Sequence, residues 1–427
     1  MTPPETWNLK PETLKPFYDV IIIGGGPAGA SAAARLSLLG RKVLVLEKEH
    51  FPRFHVGESL LPYNMPLFKE MGVAEKIAEG GFVLKRGAQF VLWDGTKKVL
   101  FSFADGVYTE FPSAYHVERS RFDKILLDHA REKGAEVREG CAVSSYQVHP
   151  DHVEVEANGE TLSARFLMDA SGVCNFTAKR ENIQNIRPGH RKLAVFGHFK
   201  GVLTPQGDRE GDIVLVRMRD SWSWLIPIGE KVSVGIVLDQ KNVKESGLRP
   251  DELFQQAVAS SPVLQEKMAG AELVGKLHTI ADYSYSNTRM ASPRLLRIGD
   301  AAGFMDPVFS SGVHLAMKTG WEGALVVDDA LLKDQAMTRG MQRYEKRTLK
   351  WMNQFWELIE RYYTDPFTEV FLEPHSRFHL VSAVNAILAG RTELSWAIRW
   401  RMRMFYTVVW LQRFIPLVPR LQRTKVA

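Results

Sequence analysis

The stretch that decides the fold runs from Tyr18 to Glu49, YDVIIIGGGPAGASAAARLSLLGRKVLVLEKE. Asp19 to Ile23, continuously apolar from Val20, predicts a buried strand, and Gly24 to Gly29 predicts a tight glycine turn. Ala30 to Leu39 then reads as an alanine-rich helix and Lys42 to Leu46 as a second strand. Strand, glycine turn, helix and strand make one βαβ unit, the opening of a doubly wound sheet.

Gly24, Gly26 and Gly29 have the GxGxxG spacing, and Glu47 follows Gly24 by 23 positions at the end of the second strand. Glycines there let backbone approach a pyrophosphate, the helix N-terminus favours its negative charge, and a carboxylate accepts hydrogen bonds from ribose hydroxyls. A carboxylate also disfavours a 2′-phosphate, which leaves FAD or NAD rather than NADP.

Working outward, the chain of 427 residues is long enough for two or three domains. The expected division puts a Rossmann-type nucleotide domain at residues 1–86, 116–185 and 275–330. It is interrupted by antiparallel strands at 87–115 and 186–274, and followed by a helical, basic and aromatic extension at 331–427. No apolar run reaches the ~18 residues of a membrane span. The opening residues lack the basic-then-apolar pattern of a secretory signal, so a cytoplasmic protein is expected. Cys141 and Cys174 are the only cysteines; neither a disulfide framework nor a metal spacing is expected, and both read as buried thiols. From Arg391 onward eight basic residues face one acid, a local +7 against a whole-chain charge of +6, so the excess positive charge sits in the tail.

Two later stretches select FAD. RIGDAAGFMDP, Arg297 to Pro307, resembles the second flavin fingerprint, with Asp300 as the carboxylate that meets ribityl or pyrophosphate oxygens. HVERSRFDKILLDHA resembles the segment whose arginine, here Arg119, reaches the pyrophosphate. Together they resemble the flavoprotein superfamily typified by p-hydroxybenzoate hydroxylase, over roughly residues 18–320.

Within that superfamily the chain resembles the flavin-dependent halogenases of the phenol and pyrrole type. WSWLIP fits WxWxIP at Trp222, Trp224, Ile226 and Pro227, and FMDPVFSSG fits FxxPxxSxG at Phe304, Pro307, Ser310 and Gly312. HVGESLLP resembles the flavin-strap loop at Gly57, Glu58 and Ser59. Lys85 stands 61 positions after Gly24, where the family carries its catalytic lysine. Taken singly, each feature has a plainer reading: tryptophans fill sheet interiors, a lysine sits in solvent, and Ser310 and Ser311 cap a helix. Their order and spacing together favour the resemblance.

The resemblance implies that Trp222 and Trp224 screen the flavin from organic substrates, so that the oxidant reduced flavin makes from oxygen meets chloride or bromide instead. Residues two apart on a strand share a face, so the indoles would stand as a wall. Backbone N–H groups at Ser311 and Gly312 would hold the halide, and Lys85 would present the resulting hypohalous acid to an aromatic ring. The implied flavin contacts are Gly24, Gly26, Ala28, Gly29, Glu47, Lys48, Glu58, Ser59, Arg119, Val143, Asp300, Pro307, Gly312 and Val313.

Two departures refine the expectation. Phe309 occupies the position where tryptophan halogenases carry a glutamate, which points to an electron-rich phenol or pyrrole, free or tethered to an acyl or peptidyl carrier protein, rather than to free tryptophan. Asp169 to Gly172 reads DASG where hydroxylases that bind NAD(P)H carry a DG motif, which implies a separate flavin reductase. The rival classes are a geranylgeranyl-type FAD reductase of lipid alkenes and an FAD monooxygenase. The tail, with arginines alternating among aromatics, suits an amphipathic helix on the core, an acidic carrier's dock or a peripheral membrane contact. Nucleic acid is not expected, because no recognition module accompanies the charge.

Overall fold

The computed structural model describes residues 18–187, 189–281, 284–374 and 377–421. The leader and the last basic residues, Arg423 and Lys425, lie outside them. The βαβ unit is present as strand Tyr18–Ile23, helix Pro27–Leu38 and strand Val43–Leu46. The helix begins three residues earlier than the alanine run suggested, because Pro27 occupies its first turn, where a missing N–H costs nothing.

These strands form the centre of a sheet ordered Leu295–Arg297, Glu160–Asp169, Tyr18–Ile23, Val43–Leu46, Glu136–Arg138, all paired in parallel. Ile23 pairs with both Leu46 and Asp169, and Asp169 pairs with Arg297. The register therefore places Gly24, Glu47, Ala170 and Ile298 side by side at the carboxyl ends of parallel strands, where open α/β sheets bind ligands. Helices Pro27–Leu38, Arg119–Glu132 and Ser311–Leu332 cover one face with alanines, Phe122, Leu126 and Met317.

The second sheet has seven strands in the order Glu272–Ala281, Lys192–Lys200, Val232–Asp239, Ser221–Pro227, Ile213–Arg217, Gly87–Leu92, Lys98–Ser102. Pairing is antiparallel except between Ile213–Arg217 and Gly87–Leu92. Its edge strand runs through position 274 to Ala281, and helix Ser311–Leu332 runs through position 330, so both elements cross the divisions read from composition.

Helices Arg339–Tyr362, Asp365–Phe371, Leu380–Leu388 and Trp396–Leu411 bury Trp351, Phe355, Phe367, Phe371, Ile398 and Phe405 in the same core as Trp222 and Trp224. The helical extension is thus the backing of the tryptophan strand rather than a separate unit. No helix among the described residues is long and apolar enough to cross a membrane.

Candidate active site

A cavity of about 600 Å³ lies where the two sheets meet, running from the glycine turn to the tryptophan strand. Among the residues named from sequence, Gly24, Gly26, Ala28, Glu47, Lys48, Glu58, Ser59, Arg119, Val143, Asp300, Pro307, Gly312, Val313, Trp222 and Trp224 all border it. Gly29, Lys85 and Ser311 do not.

The glycine turn fits a dinucleotide. Gly24 has φ +99°, and a Cβ on it would stand 2.5 Å from the Ala170 carbonyl oxygen. A Cβ on Gly29 would stand 1.9 Å from the Gly24 oxygen, so Gly29 acts by letting helix and turn close up. Gly26 caps helix Pro27–Leu38 with no side-chain bond to the first-turn amides, which suits a phosphate there. Buried Glu47 accepts from Gly25 N at 2.7 Å and Glu49 N at 2.9 Å, which fixes its carboxylate and leaves each oxygen a second lone pair for a ribose hydroxyl.

Arg119 borders the cavity with much of its donor set already engaged. Its Nε and Nη2 donate to Asp123 at 2.7 and 2.8 Å, and its Nη1 donates to the Val56 oxygen at 2.5 Å. Burial works against its charge, and the Asp123 carboxylate more than offsets this, raising its pKa. Nε and Nη2 are therefore spent on Asp123 of the same helix, and Nη1 on holding the strap loop. Arg53, which sequence reasoning missed, also pairs with Asp123 at 3.0 Å, and its Nη2 would lie 3.6 Å from a Cβ on Gly26. It is the cation nearest that glycine, and no motif marks it. Desolvation raises Asp300 to about 7 against the pull of Arg119. In the strap loop, buried Glu58 meets His198 Nε2 at 2.6 Å through one oxygen, while the other has no partner.

Trp222 and Trp224 share a face, their rings 5.7 Å apart and tilted by 46°. Trp222 Nε1 donates to the Tyr363 hydroxyl at 2.9 Å, which donates to Asp306 at 2.8 Å. Burial pushes Asp306 up to about 6. This anchor is contributed by the helical extension and was not legible from the local motif. Trp224 Nε1 donates to Ser233 at 3.2 Å. Gly235 is the residue paired with Trp224, and a Cβ on it would stand 2.1 Å from the indole. The indole therefore lies flat across the neighbouring strand.

Lys85 is the third residue of strand Val83–Lys85, which pairs with Ala114–His116. Its side chain is 2% exposed, contrary to the plain reading of a solvated lysine. Nζ donates to Ser59 Oγ at 2.9 Å and to the Leu60 carbonyl at 3.0 Å. The ammonium thus sits one hydrogen bond behind the cavity wall. Burial lowers its pKa to about 7, opposed by Asp212.

Ser310 precedes helix Ser311–Leu332 in the left-handed region, φ 57°, and its side chain makes no cap bond. The reading of these serines as simple caps therefore fails at Ser310. The Ser311 hydroxyl is buried without a partner, and Gly312 borders the cavity at the first turn, where backbone amides lack intrahelical acceptors. Phe309 packs against Tyr362, 5.4 Å between rings. Cys141 is buried as expected, but Cys174 is exposed, because it ends the short turn Gly172–Cys174 at the cavity rather than a strand.

Known proteins agree with this geometry. A family model described as an FAD binding domain matches residues 17–357. A 1H-pyrrole-2-carbonyl-[peptidyl-carrier protein] chlorinase of Pseudomonas fluorescens is 32% identical, over 86% of this chain and 89% of its own. A tryptophan 2-halogenase of Chondromyces crocatus is also 32% identical, over 77% of this chain and 64% of its own. The solved flavin-dependent brominase Bmp2 superposes with a TM-score of 0.83 at 26% identity, covering 91% of this chain and 98% of that one. With the dinucleotide turn and the indole pair around one cavity and Lys85 one hydrogen bond behind its wall, the chain belongs to the flavin-dependent halogenases, FAD-binding oxidoreductases that use halide.

Proposed function

We propose that the chain is a cytoplasmic enzyme that halogenates an electron-rich phenol or pyrrole carried on an acyl or peptidyl carrier protein, with reduced flavin delivered by a separate reductase. The observation that carries the proposal is the desolvated Lys85 ammonium, hydrogen-bonded to a residue of the cavity that Trp222 and Trp224 also line. When bound, the reduced cofactor would supply two electrons, so that FADH2, O2, halide and one proton give FAD, hypohalous acid and water.

The residues then divide the work. The Gly26 cap, Glu47 and Arg53 suit the dinucleotide's phosphates and ribose. First-turn amides at Ser311 and Gly312 favour an anion, by helix dipole and by donor supply. Trp222 and Trp224 keep a ring-sized substrate off the cofactor. Lys85 Nζ donates to the hypohalous acid oxygen and makes hydroxide a better leaving group; the aromatic carbon takes the halogen, its ring proton leaves, and water is released.

Phe309 in place of a carboxylate supports a ring electron-rich enough to lose that proton without a dedicated base at this position. The Asp169 carboxylate supports delivery of reduced flavin from outside: it is occupied by Ser171 N of the DASG turn and by Thr177 N and Oγ1 of the following short helix, 2.6 to 2.9 Å away. The test supplies FADH2, O2 and chloride or bromide with phenol and pyrrole substrates, free and carrier-bound. Halide-dependent products with halogen isotope patterns are expected. Alkene saturation under anaerobic conditions, or halide-independent hydroxylation, would replace the reading with the reductase or the monooxygenase. NADPH alone should leave the flavin yellow, and rapid bleaching would remove the separate reductase.

Helix Trp396–Leu411 offers the carrier its dock. Ile398, Met402, Phe405 and Val409 face the core, while Trp396, Trp400, Arg403 and Trp410 form an outward stripe that continues to Phe414. Arginines set among aromatics suit an acidic protein surface. Replacing Trp396, Trp400 and Arg403 by serine is expected to raise KM for the carrier-bound substrate roughly tenfold or more and to leave KM for the free ring unchanged. Equal effects on both would refute the dock, and loss of sedimentation with anionic vesicles instead would reassign the stripe to a membrane surface.

A further inference from the structure

The cysteine count predicts no metal site, but hairpin Val143–Val148 to Val153–Ala157 gathers a different set of ligands at its tip. Val148 pairs with Val153, and His149 N donates to the His152 oxygen at 2.8 Å, so His149 and His152 stand opposite each other across the turn Pro150–Asp151. Glu154 lies two residues beyond His152 and therefore on the same face. The two imidazoles stack with centroids 4.5 Å apart, and Glu154 reaches both, Oε2 at 3.4 Å from His149 Nε2 and Oε1 at 3.5 Å from His152 Nε2. The three ligand atoms lie within 4.8 Å of one another.

We propose that His149, His152 and Glu154 bind a first-row divalent cation, zinc above all, at a site separate from the flavin cavity. Two geometric facts favour a metal over an ion pair. Tetrahedral zinc with bonds of ~2.0–2.1 Å requires ligand separations of about 3.4 Å, and each imidazole Nε2 already lies within 3.5 Å of one or the other oxygen of the Glu154 carboxylate. His152 Nδ1 is 2.8 Å from the Asp151 carboxylate, the kind of outer partner to which a metal-bound imidazole donates. His149 Nε2 is buried with no hydrogen-bond partner among the described residues. Arg294, the nearby cation, donates instead to the carbonyls of Pro150 and Arg165, at 2.9 and 3.2 Å. Two imidazoles and one carboxylate form an N2O set with an open fourth position for water, the composition of a three-ligand zinc site.

The consequence is mechanical. The hairpin starts at Val143, on the cavity wall, and its tip is about 20 Å away by strand rise. A metal at the tip would cross-link the strands and reduce fraying toward that wall.

The test is calorimetric titration of the untagged, EDTA-treated flavoprotein with zinc chloride near pH 7.5, in a Cys174→Ser background so that the exposed thiol does not compete. One saturable site is expected, weakened roughly tenfold or more by His149→Ala or His152→Ala and by a similar factor by Asp151→Asn, with flavin content unchanged. Zinc should also raise the melting temperature of the parent but not of His149→Ala. Absence of saturable binding, or binding in both histidine variants as tight as in the parent, would overturn the proposal.

Discussion

Replacing Lys85 by methionine is expected to lower halogenation by about 10²–10⁴-fold, the range a positioned proton donor supplies. Flavin binding and reoxidation of FADH2 by oxygen should persist, because Lys85 lies behind Ser59 rather than on the cavity. A second readout separates this role from structural damage. Lys85 has its pKa lowered by burial to about 7, so between pH 7 and its ordinary value near 10.5 the unfolded chain binds a proton that the folded chain does not. Stability of the parent should therefore rise with pH through that window, and below it the penalty for the buried charge is present in full. Lys85→Met removes the titrating group, so its melting temperature should be the higher at pH 7, with the gap closing toward pH 10. The rate should respond as well: if the ammonium is the form that assists hypohalous acid, the parent's substitution step should fall as pH passes 7. Retained halogenation in Lys85→Met, or the same slope of stability against pH in both proteins, would end the assignment.

The second large effect is expected at the indole pair. Trp224→Leu opens the cavity face while keeping an apolar side chain, and Trp222→Leu does so while also releasing the Tyr363–Asp306 anchor. With the wall lowered, a ring-sized substrate can reach the cofactor, so oxygenated product one oxygen heavier should appear under oxygen and FADH2. Halogenated product should fall by about two orders of magnitude, the cost of a displaced reacting partner. Mass spectrometry reads both channels in one sample. An unchanged ratio of halogenated to oxygenated product in both variants would show that the indoles do not partition the chemistry. Flavin absorbance serves as the folding control, since neither tryptophan touches the glycine turn.

Much of the fold was legible because its signals are local. An apolar strand, a glycine turn forced by backbone contacts under 3 Å, and a helix start at proline are each written within a few residues of Gly24. The cavity lining could be read for the same reason: parallel register collects strand ends at one rim, so each strand's last residues predict a neighbour of the cavity. Long-range partners gave no such signal. Tyr363 reaches Trp222 from 141 positions away, Arg53 gains its place from Asp123 70 positions away, and Arg119 spends its donors on Asp123 and Val56. Exposure was equally illegible: Lys85 and Cys174 reversed the expectation drawn from residue type, because a three-residue strand turned one inward and a cavity-side turn left the other open.

Gly235 ties two positions of the chain into one evolutionary unit. Its absent methyl is the space the Trp224 ring occupies, so any larger residue at 235 is tolerable only after the indole has shrunk. A lineage drifting toward a wider reaction chamber would first lose the ring and then fill the glycine, and the reverse order is sterically blocked. A library that randomises position 224 alone will therefore sample holes in the sheet, whereas one that varies 224 and 235 together will sample repacked surfaces.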